Sequence, residues 1–189
     1  VNEFSPREFW AGSAKGQTSR FDDLEAALER AKITRVPMSA GESCRIIDEV
    51  KFCVLFPPPD KAEDASVVMR LEYGKLRYLF AGDIDKRDEA LLAQKPGDLR
   101  STIVKIPRHG SAAASTVEFI AAVQPRLAVI SAGARARSEV QREEIAGRYR
   151  DSGAQVLSTY EDGAITLETD GNSVRYSGYK SGKKGELTL

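Results

Sequence analysis

Histidine is nearly absent from this chain of 189 residues, which has a single one, His109. A catalytic zinc site typically takes about three protein ligands plus a water, so by ligand count the chain alone is not expected to hold zinc tightly. Cysteine is scarce too: Cys44 and Cys53 have neither the close spacing of a metal-ligand pair nor the number of a disulfide framework. Cys53 lies in the apolar run Val50-Lys51-Phe52-Cys53-Val54-Leu55-Phe56, which predicts a buried, inert thiol, with a disulfide as the lesser alternative. No apolar run approaches the roughly 18 residues of a membrane-spanning helix. Net charge is lacking as well, with 28 basic and 28 acidic residues, so nothing pushes the whole molecule toward nucleic acid or an anionic membrane. No Walker loop and no Gly-x-Gly-x-x-Gly is present. The start, Val1-Asn2-Glu3-Phe4, has no basic or apolar leader segment and no Met, and reads as a processed or excised piece.

What is present is ordinary for a globular protein: 41% hydrophobic and 30% charged residues, enough for one domain with a real core. The first twenty residues are glycine-rich and polar and read as irregular, with Phe9 and Trp10 packing on the body. Ser19 is positioned to cap a helix running to about Ala31. A strand follows over 51–56, then a hairpin with arms at 66–72 and 76–80 and a turn near Tyr73-Gly74. Beyond Asp83 the elements alternate. A helix over 86–94 is capped by Asp85, a strand covers 102–106, and a helix over 116–123 is capped by Ser115. A strand covers 127–131, and a capping box at Ser138 and Gln141 opens a helix to about Asp151. Strands at 155–158 and 164–167 follow, with a turn at Asp170-Gly171 and a return arm at 173–176. The tail from 180 to 189 is expected to be irregular. Alternation of this kind predicts one α/β domain over 1–189 with a mixed sheet and flanking helices.

Two segments place polar, reactive residues just after strands, where open α/β sheets build their sites. One is Phe80-Ala81-Gly82-Asp83-Ile84-Asp85, the other Lys105-Ile106-Pro107-Arg108-His109-Gly110-Ser111. Asp85 is the better helix cap, which leaves Asp83 free to ligate a metal or act as a base. His109, beside a glycine that permits a sharp turn, can ligate a metal or move a proton. Taken alone, each also has a bland reading, as a cap and as a surface loop residue. Lys105, Arg108 and Ser111 suit a phosphate-sized anion, and the backbone N–H groups over 111–116 can offer a second contact to it. The arginines at 135, 137, 142, 148 and 150, interleaved with Glu139, Glu143 and Glu144, read as an ion-paired helix face.

The order of these segments resembles a known family. An apolar hairpin, Gly-Asp-Ile, a helix and Lys-Ile-Pro-x-His-Gly-Ser come first. A helix, Pro-Arg-Leu-Ala-Val-Ile-Ser-Ala-Gly, a further helix and Asp-Gly-Ala-Ile follow. From about Phe21 to Gly171 this is similar to the C-terminal half of the metallo-β-lactamase-like domain of ComEC-type DNA-uptake proteins. The resemblance implies an αββα sandwich and metal-dependent hydrolysis of DNA, with divalent zinc or manganese as cofactor. It makes Asp83 and His109 the catalytic and metal-binding residues, with phosphate held by Lys105, Arg108 and Ser111. It further implies DNA and the membrane channel portion of the same parent protein as partners, in a soluble domain tied to the bacterial inner membrane. Three features depart from the family. The His-x-His-x-Asp-His motif is absent, Arg108 stands where the family has the first histidine of His-His-Gly-Ser, and the loop from Gly133 to Ser138 has no His-Pro pair. The chain by itself is therefore expected to be inactive, and a non-catalytic module that binds nucleic acid or a partner is the alternative. Sheet surface left bare by the missing half predicts self-association.

Overall fold

The structure is a computed structural model and describes residues 3–12, 19–41, 44–59, 66–94, 99–133 and 139–189. Its centre is a seven-stranded mixed sheet in simple sequential order. Strands β3 (Arg45–Ile47), β4 (Val50–Phe56), β5 (Val68–Tyr73) and β6 (Leu76–Phe80) form an antiparallel meander. From β6 on, β7 (Ile103–Lys105), β8 (Leu127–Ile130) and β9 (Gln155–Ser158) run parallel to one another. The change of direction has a local cause: two-residue turns join β3 to β4 and β5 to β6, whereas α2 (Lys86–Ala93), α3 (Val117–Val123) and α4 (Glu139–Asp151) lie between the last four strands. Crossovers of that length suit parallel pairing.

Both faces of the parallel half are buried, which is why its strands read as unbroken apolar runs. Val104, Ala128 and Ile130 face the helices and pack with Phe119, Ile120, Ile145 and Tyr149. Their neighbours Ile103, Leu127 and Val129 face the other way, against a three-stranded sheet that contributes Val174 and Leu187. That sheet is made of β10 (Ile165–Thr169), β11 (Ser173–Gly178) and β12 (Lys184–Thr188). Each large apolar side chain so buried contributes on the order of 1.5–3 kcal/mol. The α/β class and the mixed sheet with flanking helices are thus as expected. On the same face as Ile103, the antiparallel half carries Phe52, Val54, Met69 and Phe80, all half-buried.

Several expectations need correction. The tail is not irregular: Lys184–Thr188 pairs with β11 along its length, and Leu187 closes the second core. The first twenty residues are not all irregular either. Strand β1 (Glu8–Ala11) pairs in parallel with β2 (Thr34–Pro37), and helix α1 (Ser19–Arg30) lies between them. Trp10 does pack on the body, meeting the Phe52 ring edge-on at 5.8 Å. The cysteines are joined as a disulfide, Cys44 to Cys53, so the inert-thiol reading fails. Helix α3 is capped by Thr116, whose hydroxyl accepts from Phe119 N–H at 3.3 Å, and not by Ser115. A short helix α5 (Thr159–Asp162) intervenes after β9. The Ser138 cap, Arg135 and Arg137 lie outside the described residues.

Candidate functional site at the carboxyl edge of the parallel strands

The two chemical segments meet, and the backbone shows why. Gly82 follows β6 with φ +57°, turning the chain so that Asp83 leaves the sheet plane. The Gly82 carbonyl then accepts the Arg108 N–H at 3.1 Å and the Lys105 ammonium at 3.3 Å. These bonds dock the loop after β7 onto the end of β6. In that loop Arg108, His109 and Gly110 adopt left-handed φ values of 47°, 54° and 78° in succession. Left-handed backbone at a non-glycine residue costs on the order of 1–3 kcal/mol and persists only where the surroundings impose it, commonly at functional sites.

His109 is oriented from both sides. Its Nδ1 lies 2.7 Å from the Ser131 carbonyl at the end of β8. Its Nε2 lies 3.5 Å from Asp83 Oδ1. A carbonyl only accepts, so Nδ1 carries the proton. In the neutral ring Nε2 is then a bare lone pair facing a carboxylate. A cation placed beside that lone pair would meet both Nε2 and the Asp83 carboxylate. Donation of the other ring N–H to a backbone carbonyl is also the usual arrangement of metal-ligating histidines. The pair is open, with side-chain exposures of 51% for His109 and 58% for Asp83. Lys105 is half-buried; burial pushes its ammonium below the ordinary value, and the nearby Asp83 charge pulls it back up.

Donor type and tautomer therefore fit a divalent ion, but donor number does not: among the described residues no three His, Cys, Asp or Glu side chains come together. Asp85, as expected, is spent as the α2 cap, accepting from Arg87 and Asp88 N–H at 2.8 and 3.3 Å. Ser111 is buried, and its hydroxyl accepts the Ala113 N–H at 3.2 Å, so it shapes the turn from inside. Gly133 lies exposed at the end of the described part of the next loop.

The anion expected at the start of α3 is already supplied by the chain itself. Glu89 of α2 is fully buried and accepts from Ser115 and Thr116 N–H at 2.5 and 2.9 Å. Sequence reasoning missed this residue, because in Asp88-Glu89 it looks like helix surface. Ser115, left-handed at φ 64° and also buried, is held further by the Tyr149 hydroxyl at 3.2 Å and by Arg148, which donates to its carbonyl at 3.0 Å. Tyr149→Phe is expected to cost about 1 kcal/mol, the net worth of one buried hydrogen bond, measured as a lowered urea midpoint with unchanged slope. The remaining arginines of α4 behave as an ion-paired face, Arg148 with Glu144 at 2.8 Å and Arg150 with Glu143 at 2.6 Å. Arg142 differs, being buried against the Tyr160 ring at 4.4 Å.

The fold and site together define an α/β protein whose reactive groups line the carboxyl edge of the parallel half of its sheet. Proteins similar to it in sequence narrow the class. The chain is 27% identical to ComE operon protein 3 of Bacillus subtilis (strain 168) over 168 residues, 87% of its length and 21% of the relative's. It is 34% identical to competence protein ComA of Neisseria gonorrhoeae over 122 residues, 62% of its length and 18% of that protein's. It is also 25% identical over 119 residues to the uncharacterized protein YcaI of Escherichia coli (strain K12). No family model matches the chain. The likeness to ComEC-type competence proteins carried by the order of the motifs thus holds along most of the chain, which spans about a fifth of the length of these relatives.

Proposed function

We propose that this chain is the DNA-handling part of a ComEC-type competence protein, and that its carboxyl-edge site engages the phosphodiester backbone. The observation that supports this most directly is the facing of Asp83 and His109 across 3.5 Å, with two cationic residues, Lys105 and Arg108, anchored to the same Gly82 carbonyl by side chain and backbone. The metallo-β-lactamase arrangement is part of the reading. The mixed sheet, with helices on one face and a smaller sheet on the other, is compatible with that half of an αββα sandwich. In the parent protein Asp83 and His109 would hold a divalent metal, zinc or manganese, which polarises a phosphoryl oxygen and activates water for hydrolysis. The residues of this chain supply less than that chemistry needs. His109, tethered to Ser131, presents Nε2 in a fixed orientation, Asp83 supplies the charge beside it, and Lys105 and Arg108 bring positive charge to a DNA phosphate. The membrane channel portion of the same parent protein is the neighbour this reading implies.

Arg108 is what favours phosphate contact without tightly held metal. It stands where the resembling family has a histidine, and its guanidinium can hold a phosphate by two parallel hydrogen bonds. Calorimetric titration with zinc and with manganese, alongside a DNA-cleavage assay, tests the metal half of the reading. Weak binding and no cleavage by the chain alone are expected, and tight uptake of two ions would overturn that. For the phosphate half, Arg108→Ala and Lys105→Ala are each expected to weaken binding of a DNA oligonucleotide of any sequence. Each should lower the slope of log affinity against log salt by about 0.7–0.9. An unchanged slope in both variants would remove this edge from the DNA contact.

A further inference from the structure

The Ser131 carbonyl that orients His109 belongs to a short segment beyond the end of β8, where the strand ladder has stopped. The last pair joining β8 to β9 is Ile130 with Ser158, and after Ser158 the chain turns into α5. Ala132, the residue after Ser131, is buried, so its backbone N–H and C=O need partners within the protein. One side chain meets both. Thr159 Oγ1 accepts the Ala132 N–H at 2.9 Å and donates its own proton to the Ala132 carbonyl at 2.9 Å. The segment is thereby tied toward both neighbours of β8. Ser131 is joined to the loop after β7 through His109, and Ala132 to the turn after β9 through Thr159.

Thr159 reaches from a braced position. It opens α5, a single turn of four residues. Asp162, at the other end of that turn, is fully buried; its Oδ2 accepts the Ser158 N–H at 2.9 Å and its Oδ1 meets the Lys183 ammonium at 3.2 Å. The Asp162 carbonyl accepts the Lys180 N–H at 2.7 Å. Lys180 and Lys183 lie in the connection from β11 to β12, so the smaller sheet holds the turn that carries Thr159.

We infer that Thr159 is a positioning residue of the carboxyl-edge site. By pinning Ala132 it fixes the Ser131 carbonyl, and that carbonyl fixes which nitrogen of His109 carries the proton and where Nε2 points. The inference rests on the reading of Asp83 and His109 as the site, and not on what the site binds. Without the hydroxyl, two backbone groups of Ala132 lose their partner, and the segment shifts to satisfy them. Once the Ser131 carbonyl has moved, the ring proton is free to pass to Nε2, where the Asp83 carboxylate, 3.5 Å away, accepts it. The two groups then bond to each other, and the Nε2 lone pair is lost to any ligand.

His109 is the only histidine, so in protein labelled with nitrogen-15 at histidine every ring signal belongs to it. With the ring neutral, the two nitrogen shifts of the unaltered protein should lie far apart, with the proton on Nδ1. Thr159→Val keeps the shape and removes the hydroxyl, and should draw the two shifts together as the tautomers mix. Thr159→Ser keeps the hydroxyl and should restore the separation. Shifts unaltered in Thr159→Val, or not restored in Thr159→Ser, would overturn the role. Should the valine variant not fold, hydrogen exchange of the unaltered protein decides. Its Ala132 amide should exchange at least about a hundredfold more slowly than in an unfolded chain, and rapid exchange would overturn the latch. Adding a DNA oligonucleotide to the same labelled protein separates this role from the nature of the ligand. Ring signals that ignore DNA yet respond to Thr159→Val would leave the positioning role standing and count against DNA.

Discussion

Replacing Glu89 with alanine should destabilise the protein by about 2–6 kcal/mol, as read from urea unfolding. The carboxylate is fully buried and is the acceptor for the N–H groups of Ser115 and Thr116. Removing it orphans both donors, and each buried unsatisfied group costs about 1–3 kcal/mol. Glu89→Gln keeps one carbonyl-type oxygen and should cost less, about 1–3 kcal/mol. The effect reaches the site, because Glu89 fixes the far end of the loop that begins at Arg108 and His109. The residue also carries a pH signature. Burial pushes its carboxyl above the ordinary value of 4.5, Asp85 adds to the rise, and the two backbone donors oppose it. A carboxyl raised in the folded state binds more protons there than in the unfolded chain, so stability falls as pH climbs from about 4.5 toward the raised value. That downward slope should vanish in Glu89→Gln, and a slope of unchanged size would assign it to another group.

The paired segments were readable from sequence because the physics is local. Apolar strands end abruptly at Gly82 and Ile106, and parallel neighbours with a helical crossover bring those ends side by side. The β5–β6 hairpin was equally legible, its arms bounded by Gly74. What stayed hidden depends on partners distant in sequence. Strand β12 has a weak pattern of its own, Lys-Gly-Glu-Leu-Thr, and becomes a strand because Leu187 finds the core that Leu127 and Val174 have already built. Glu89 looks like one of several exposed helix acids until α3 is packed across it. The disulfide rests on the register of β3 with β4, which a spacing of nine residues does not announce. Thr116 displaced Ser115 as the helix cap because Ser115 was needed one residue earlier, in the left-handed turn that Glu89 and Tyr149 hold.

Gly82→Ala should cost about 2–5 kcal/mol and separate Asp83 from His109. The position has φ +57°, and a methyl group added there would lie 2.7 Å from the Val67 carbonyl oxygen. The left-handed conformation of an alanine costs about 1–2 kcal/mol, and relieving a contact with rigid backbone adds about 1–3 kcal/mol. Val67 cannot yield cheaply, since the next residue, Val68, is fully buried in the core. Residue 82 is therefore the part that moves, and its carbonyl carries the bonds to Arg108 N–H and Lys105. As they lengthen, the loop that presents His109 loses its dock on β6. Imidazole nitrogen shifts in NMR report the change directly, because the ring exchanges its fixed Asp83 and Ser131 neighbours for water. Gly147→Ala is the control. It lies within α4, where an added methyl group meets nothing within 4 Å, and should stabilise the protein by about 0.5–1 kcal/mol through helix propensity. If Gly82→Ala were as stable as this control, with His109 shifts unaltered, the turn at Gly82 would not be what joins the two halves of the site.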